Sequence, residues 1–174
     1  MRKAILKSLQ RVMLPLGFAA AAALAVSTSG CLAVFGGMQS TDITFPLDRK
    51  PGGNTFFAWN EITIDQDVSS ITTAKLIGVT LAIEAPEGSD FSFLSAITGE
   101  TVSPTGRTTL VHLDSIPAGE SNVAMRIVFL GDLKPLFKDA HTVRIEWTGS
   151  TNPAFAAWPA GGYTIKATVQ IDVQ

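Results

Sequence analysis

From Tyr163 to Val173 the chain alternates strictly. Tyr163, Ile165, Ala167, Val169, Ile171 and Val173 are apolar or aromatic, and Thr164, Lys166, Thr168, Gln170 and Asp172 stand between them. A period of two puts one set on one face of an extended strand and the other set on the opposite face. A helix would scatter the same apolar residues around its circumference. This run therefore predicts a half-buried strand near the C-terminus, and a chain that ends in a strand needs a sheet to receive it.

The same period recurs upstream. Ile77, Val79, Leu81 and Ile83 alternate with Gly78, Thr80, Ala82 and Glu84. Val123, Met125, Ile127 and Phe129 form another such run, as do Val143, Ile145 and Trp147. Thr41–Leu47, a segment around Phe91 and Phe93, and Thr109–Leu113 are shorter candidates. Phe57 and Trp59 share one parity and Ile62 and Ile64 the other, which predicts a bulge or a strand break between them. Pro51-Gly52-Gly53-Asn54, Ala85-Pro86-Glu87-Gly88, Thr98-Gly99-Glu100 and Ile116-Pro117-Ala118-Gly119 read as turns or loops. Residues 68–75 suit a helical turn or a strand. Asp132–Ala140 suits a short helix with Pro135 in its first turn. Seven or eight short strands with frequent turns predict an all-β fold, an antiparallel β-sandwich that is immunoglobulin-like in strand count. No Cys-Trp-Cys pattern extends that likeness.

The N-terminal 30 residues follow different rules. Arg2, Lys3, Lys7 and Arg11 precede an uncharged run, Val12–Val26, built around Ala19–Ala23. A basic start, a short apolar core and small residues before a cut are the marks of a secretory signal peptide. The apolar run is shorter than the roughly 20 residues of a spanning helix. Residues 1–30 are thus expected to be the signal, 31–50 a tether, and 51–174 the folded domain.

The segment Thr28-Ser29-Gly30-Cys31 resembles the lipobox of bacterial lipoproteins, with Ser29 and Gly30 at the small positions and Thr28 where that family usually has Leu. The resemblance covers about 31 residues and says nothing about the domain that follows. It implies that the Cys31 sulfur receives diacylglycerol, that cleavage falls just before it, and that the new amino group is acylated. The membrane would then be a partner through the acyl chains on Cys31. The absence of Asp at Leu32 is similar to outer-membrane sorting. Cysteine arithmetic agrees, because Cys31 is the only cysteine and has no internal disulfide partner.

Four of the thirteen basic residues and none of the fifteen acids precede Cys31, so the mature chain carries nine bases against fifteen acids, a net charge of −6. An acidic domain is a poor partner for nucleic acid or anionic headgroups. Asp65 and Asp67 lie two apart and could face one cation on a strand, but nothing nearby completes a calcium ligand set. His112 and His141 have no second ligand at metal spacing, and no local signature selects a nucleophile. No cofactor and no catalytic residue is expected.

The connection from Thr148 to Gly162 is long, uncharged and carries Phe155 and Trp158. Two outcomes are open. The rings either present a contact surface for a partner or lipid interface, or fold back to plug one end of the sandwich. The functional expectation is a membrane-anchored, non-enzymatic binding or structural module of the cell envelope, with a protein or envelope component as partner. The alternative is a carbohydrate- or calcium-binding secreted domain.

Overall fold

The computed structural model describes residues 30–32, 37–47, 54–64, 70–103, 106–137, 142–155 and 158–174, with residues 30–32, 63 and 64 described by backbone alone. Among the described residues ten strands form two sheets. They are β1 (Gly30–Leu32), β2 (Gly37–Leu47), β3 (Thr55–Ile64), β4 (Ala74–Ala85), β5 (Leu94–Ser103), β6 (Gly106–Leu113), β7 (Asn122–Ala124), β8 (Arg126–Ile127), β9 (Thr142–Thr151) and β10 (Tyr163–Val173). One sheet runs β1-β3-β9-β5-β6-β8 and the other β2-β10-β4-β7. All pairings are antiparallel except that of β1 with β3.

The chain is a β-sandwich, as its alternation predicts. Seven strands are eight residues or longer, and three are fragments of two or three residues. The likeness to immunoglobulin-like sandwiches stops at this count. Here β2 pairs with β10, β3 with β9, β4 with β7 and β5 with β6. These are four nested pairs of one long antiparallel ribbon. The ribbon is rolled so that β10 also joins β4 and β9 also joins β5. That is jelly-roll connectivity, in which consecutive strands mostly change sheet.

The core lies between the inner faces. Ile43, Phe45 and Leu47 of β2 and Ile165, Ala167 and Val169 of β10 meet Ile97, Val111, Ile145 and Trp147 of the opposite sheet. Phe45 and Trp147 stack across the gap, with centroids 5.0 Å apart and planes 10° from parallel. A cavity of about 20 Å³, lined by Leu76, Leu110, Leu133, Phe137 and neighbours, remains between the sheets, room for about one water molecule.

Several expectations need correction. The first long strand starts at Gly37 and keeps an eleven-residue register with β10, so the sandwich takes in most of the segment assigned to a tether. Strand β3 has no bulge or break, because Phe56, Ala58, Asn60 and Ile62 face the core while Phe57, Trp59 and Glu61 face outward. Thr98-Gly99-Glu100 is not a turn. It lies inside β5, where a Cβ on Gly99 would come within 2.8 Å of both Trp147 and Val111.

The Val123–Phe129 run is two fragments, since Met125 marks the crossing from one sheet to the other and its N–H donates to the Val79 carbonyl. Of the expected Asp132–Ala140 helix, the described part, up to Phe137, is a 3-10 turn, Lys134–Phe137, and the Asp132 carboxylate accepts from the N–H groups of Ala74 and Lys134 and ties the segment to β4. In β4 a register shift turns Ile77 outward and Leu76 inward.

Candidate functional site

The sequence-derived candidates do not converge. Cys31 lies in β1, whose backbone pairs Cys31 with Thr63 in parallel register. Asp65, Asp67 and His141 lie outside the described residues. Among the described residues, no group of three or more His, Cys, Asp or Glu side chains is placed to hold a metal ion.

His112 lies on the outward face of β6. Its Nδ1 shares a hydrogen bond of 2.8 Å with the Thr98 hydroxyl, and its Nε2 is 3.7 Å from the Asp114 carboxylate. A hydroxyl, an imidazole and a carboxylate are thus in line. They stand on an open sheet, with Asp114 largely exposed to water.

Phe155 and Trp158 are half-buried and packed against the core. Trp158 meets Phe93 edge-on at 5.3 Å and Tyr163 edge-on at 4.9 Å, and Phe155 lies 6.2 Å from Phe93. Phe93 and Tyr163 stack at 3.7 Å beneath them. The start of the loop is pinned. The Asn152 N–H donates to the Phe93 carbonyl, its side-chain amide donates to the Ser92 carbonyl, and its Oδ1 accepts from the Ala154 N–H. Phe155 and Trp158 thus fold back onto Phe93 and Tyr163. Burial there raises the pKa of the Tyr163 phenol above its usual value, with a smaller contribution from Asp90. Asp90 itself is lowered, because the Ser92 hydroxyl and N–H hydrogen-bond its carboxylate.

A site that sequence reasoning missed occupies the outward face of the six-stranded sheet. Register aligns Trp59, Glu146, Glu100 and Thr109 in one row across β3, β9, β5 and β6. A second row aligns Phe57, Thr148, Thr98, His112 and Arg126. Glu61 stands opposite Arg144. Trp59 is 47% exposed and Phe57 39%. Large aromatics at this exposure, two residues apart on one face, are about 7 Å from each other along the strand.

Beside them lies an ion network. Glu146 is only 4% exposed, yet its carboxylate meets two arginines, with Oε2 2.6 Å from Arg107 and Oε1 2.8 Å from Arg144. The Arg107 guanidinium and Glu146 Oε2 thus form a close ion pair. Arg107 also reaches Glu100 at 3.3 Å, and the Thr109 hydroxyl donates to Glu100 at 3.0 Å. Glu146, and secondarily Glu100, raise the pKa of Arg107 further. The Arg144 guanidinium lies over the Trp59 ring, 4.7 Å from its centroid.

The cause is the parity of β3. Asn60 is polar but faces inward, where the Trp147 indole satisfies it, and Trp59 is apolar but faces outward. Ranking side chains by hydrophobicity alone reverses both. The available signal was the unbroken alternation Phe56-Ala58-Asn60-Ile62 once Asn60 is allowed in the core. The chain matches no known protein family model, and no curated protein matches it at a significant level.

Proposed function

We propose that this chain is a membrane-anchored lipoprotein of the cell envelope, exported and sorted to the outer membrane, whose sandwich is a non-enzymatic binding or structural module. The observation that carries the reading is the N-terminal sequence: a basic start, a short apolar core, and Ser29-Gly30 before the only cysteine, Cys31. The described residues contain no helix long and apolar enough to cross a membrane. An anchor on Cys31 would act by burying acyl chains, each methylene contributing about 0.8 kcal/mol. Gly37, the first residue of β2, is six positions after Cys31. Cys31 itself lies in β1, paired with β3 of the sandwich, so the domain would work close to the bilayer surface.

A binding role is favoured by the outward face of the six-stranded sheet, where two half-exposed aromatics adjoin a fixed array of charges. Metabolic labelling with a radioactive fatty acid tests the anchor. Label should enter the wild type and be absent from Cys31→Ser, with the variant lost from the membrane pellet. Equal labelling of both proteins would overturn the reading.

A further inference from the structure

Register fixes which strand ends lie beside Cys31. β1 runs parallel to the end of β3, with Cys31 beside Thr63 and Leu32 beside Ile64. Gly37, which opens β2, lies opposite Val173 of β10, and Val173 lies opposite Ala74, which opens β4. β9 starts at Thr142, opposite Thr63, and β5 and β6 meet at Ser103 and Gly106. These residues make up one end of the sandwich. Leu47 and Tyr163 belong to the other end, about 30 Å away along β10.

The two ends treat large apolar side chains differently. At the Tyr163 end they are covered. Leu47, Phe91, Phe93 and Tyr163 are buried, and Phe155 and Trp158 fold back on Phe93 and Tyr163. At the Cys31 end three are bare. Met38, the second residue of β2, is 76% exposed. Val102, the last but one of β5, is 37% exposed. Leu130 is 82% exposed and stands two residues before Asp132, whose carboxylate accepts from the Ala74 N–H.

These three side chains are spread around the rim of that end. Met38 is on β2, an edge strand that lies against β1 and β3. Leu130 follows β8, the edge strand on the opposite side of the six-stranded sheet, and Val102 stands between them on β5. An interface with a second copy or another protein needs contiguous surface, about 800 Å² per partner. Separate apolar projections around a blunt end suit a broad, deformable apolar surface instead, and a bilayer is one.

The anchor selects the same end. The Cys31 backbone is paired into the sheet, so acyl chains on its sulfur and amino group leave the domain here without a spacer. The contact is apolar and not electrostatic, because the mature chain carries a net charge of −6 and gains nothing from anionic headgroups.

We propose that the Cys31 end of the sandwich rests on the bilayer, with Met38, Val102 and Leu130 inserted into the lipid interface around the acyl anchor. The proposal rests on the reading of Cys31 as acylated. It fixes the orientation of the domain: the strands rise from the membrane, and the end that holds Phe155 and Trp158 points away from it.

The test uses the protein purified from its membrane fraction and reconstituted in phosphatidylcholine vesicles that contain nitroxide-labelled lipid. An acylated Cys31 leaves the wild type without a free thiol, so Met38→Cys, Leu130→Cys and Gly161→Cys each offer one site for an environment-sensitive fluorophore. Gly161 has open space around it and lies two residues from Tyr163. The labels at positions 38 and 130 should shift to the blue and lose most of their emission to the nitroxide, in low and high salt alike. The label at position 161 should keep the emission it has in vesicles without nitroxide. Thermal melts confirm that each variant is folded.

Labels at 38 and 130 quenched no more than the label at 161 overturn the proposal and leave the anchor standing. A blue shift at 38 or 130 that grows with protein density and is untouched by nitroxide overturns it in favour of a contact between copies. Uptake of fluorophore by the wild type marks a free Cys31 thiol, and the anchor reading then fails together with the proposal.

Discussion

The indole N–H of Trp147 donates to Oδ1 of Asn60 at 2.9 Å, and both side chains are buried. The amide of Asn60 then donates to the Thr44 carbonyl on β2, the outer strand of the other sheet. One polar side chain thus satisfies the largest buried aromatic and ties the two layers together, while Trp147 stacks on Phe45. A buried polar group is tolerated when it is fully hydrogen-bonded and is costly when it is not.

Removing both partners should therefore cost less than the two single removals added together. Asn60→Leu leaves the Trp147 N–H unpaired and should destabilise by about 2–3 kcal/mol. The double variant Asn60→Leu/Trp147→Phe should lose less than the sum of the single changes. Urea denaturation of the four proteins measures the coupling, and additive losses would contradict this account.

Two strand glycines are set by their neighbours. A Cβ on Gly149 would run into the Ala96 carbonyl oxygen and the Phe56 ring. Gly149→Ala should cost about 1–3 kcal/mol, at the upper end because backbone must move. Gly99→Ala, which meets the side chains of Trp147 and Val111, should cost less, and Gly161→Ala, with open space around it, should be nearly neutral. Thermal melts of the three variants rank them.

Tyr163 is the only tyrosine, so tyrosinate absorbance reports this one residue. Burial raises its folded pKa above the usual value near 10. The unfolded chain then ionises first, so the stabilisation is complete below about pH 10 and is lost as pH rises through the folded pKa. The titration midpoint should lie above that of free tyrosine. The decline of melting temperature in this alkaline range should be smaller in Tyr163→Phe. A midpoint at or below the ordinary value would rule out the packed arrangement of Phe93, Trp158 and Tyr163.

The same aromatic end predicts the behaviour of the long loop. Phe155→Ser and Trp158→Ser should together cost about 2–5 kcal/mol, because both rings pack against Phe93 or its neighbours. An unchanged folding midpoint would mean that these rings contribute little to closing the sandwich.

The fold was legible where one face is uniformly apolar. β10 sits at the centre of its sheet, paired on both sides, and its burial alternates as its sequence does. Legibility failed where a tertiary contact reverses a local preference. Gly99 looks like turn chemistry, yet it is small because Trp147 lies against it. Asn60 looks like a surface residue, yet a partner 87 positions away brings it inside. The displaced parity of β3 then hid the outward Phe57 and Trp59, and with them the candidate site. Nested pairing of β2 with β10 and β3 with β9 is set by contacts distant in sequence, and period-two patterns carry no record of which strand is the partner.

The measurement closest to the central claim is the intact mass of the protein extracted from its membrane fraction, beside Cys31→Ser. The account predicts a mass equal to residues 31–174 plus acyl chains, and loss of that species in the variant. An unlipidated mass, or cleavage at another position with the protein recovered as a soluble species, would contradict it.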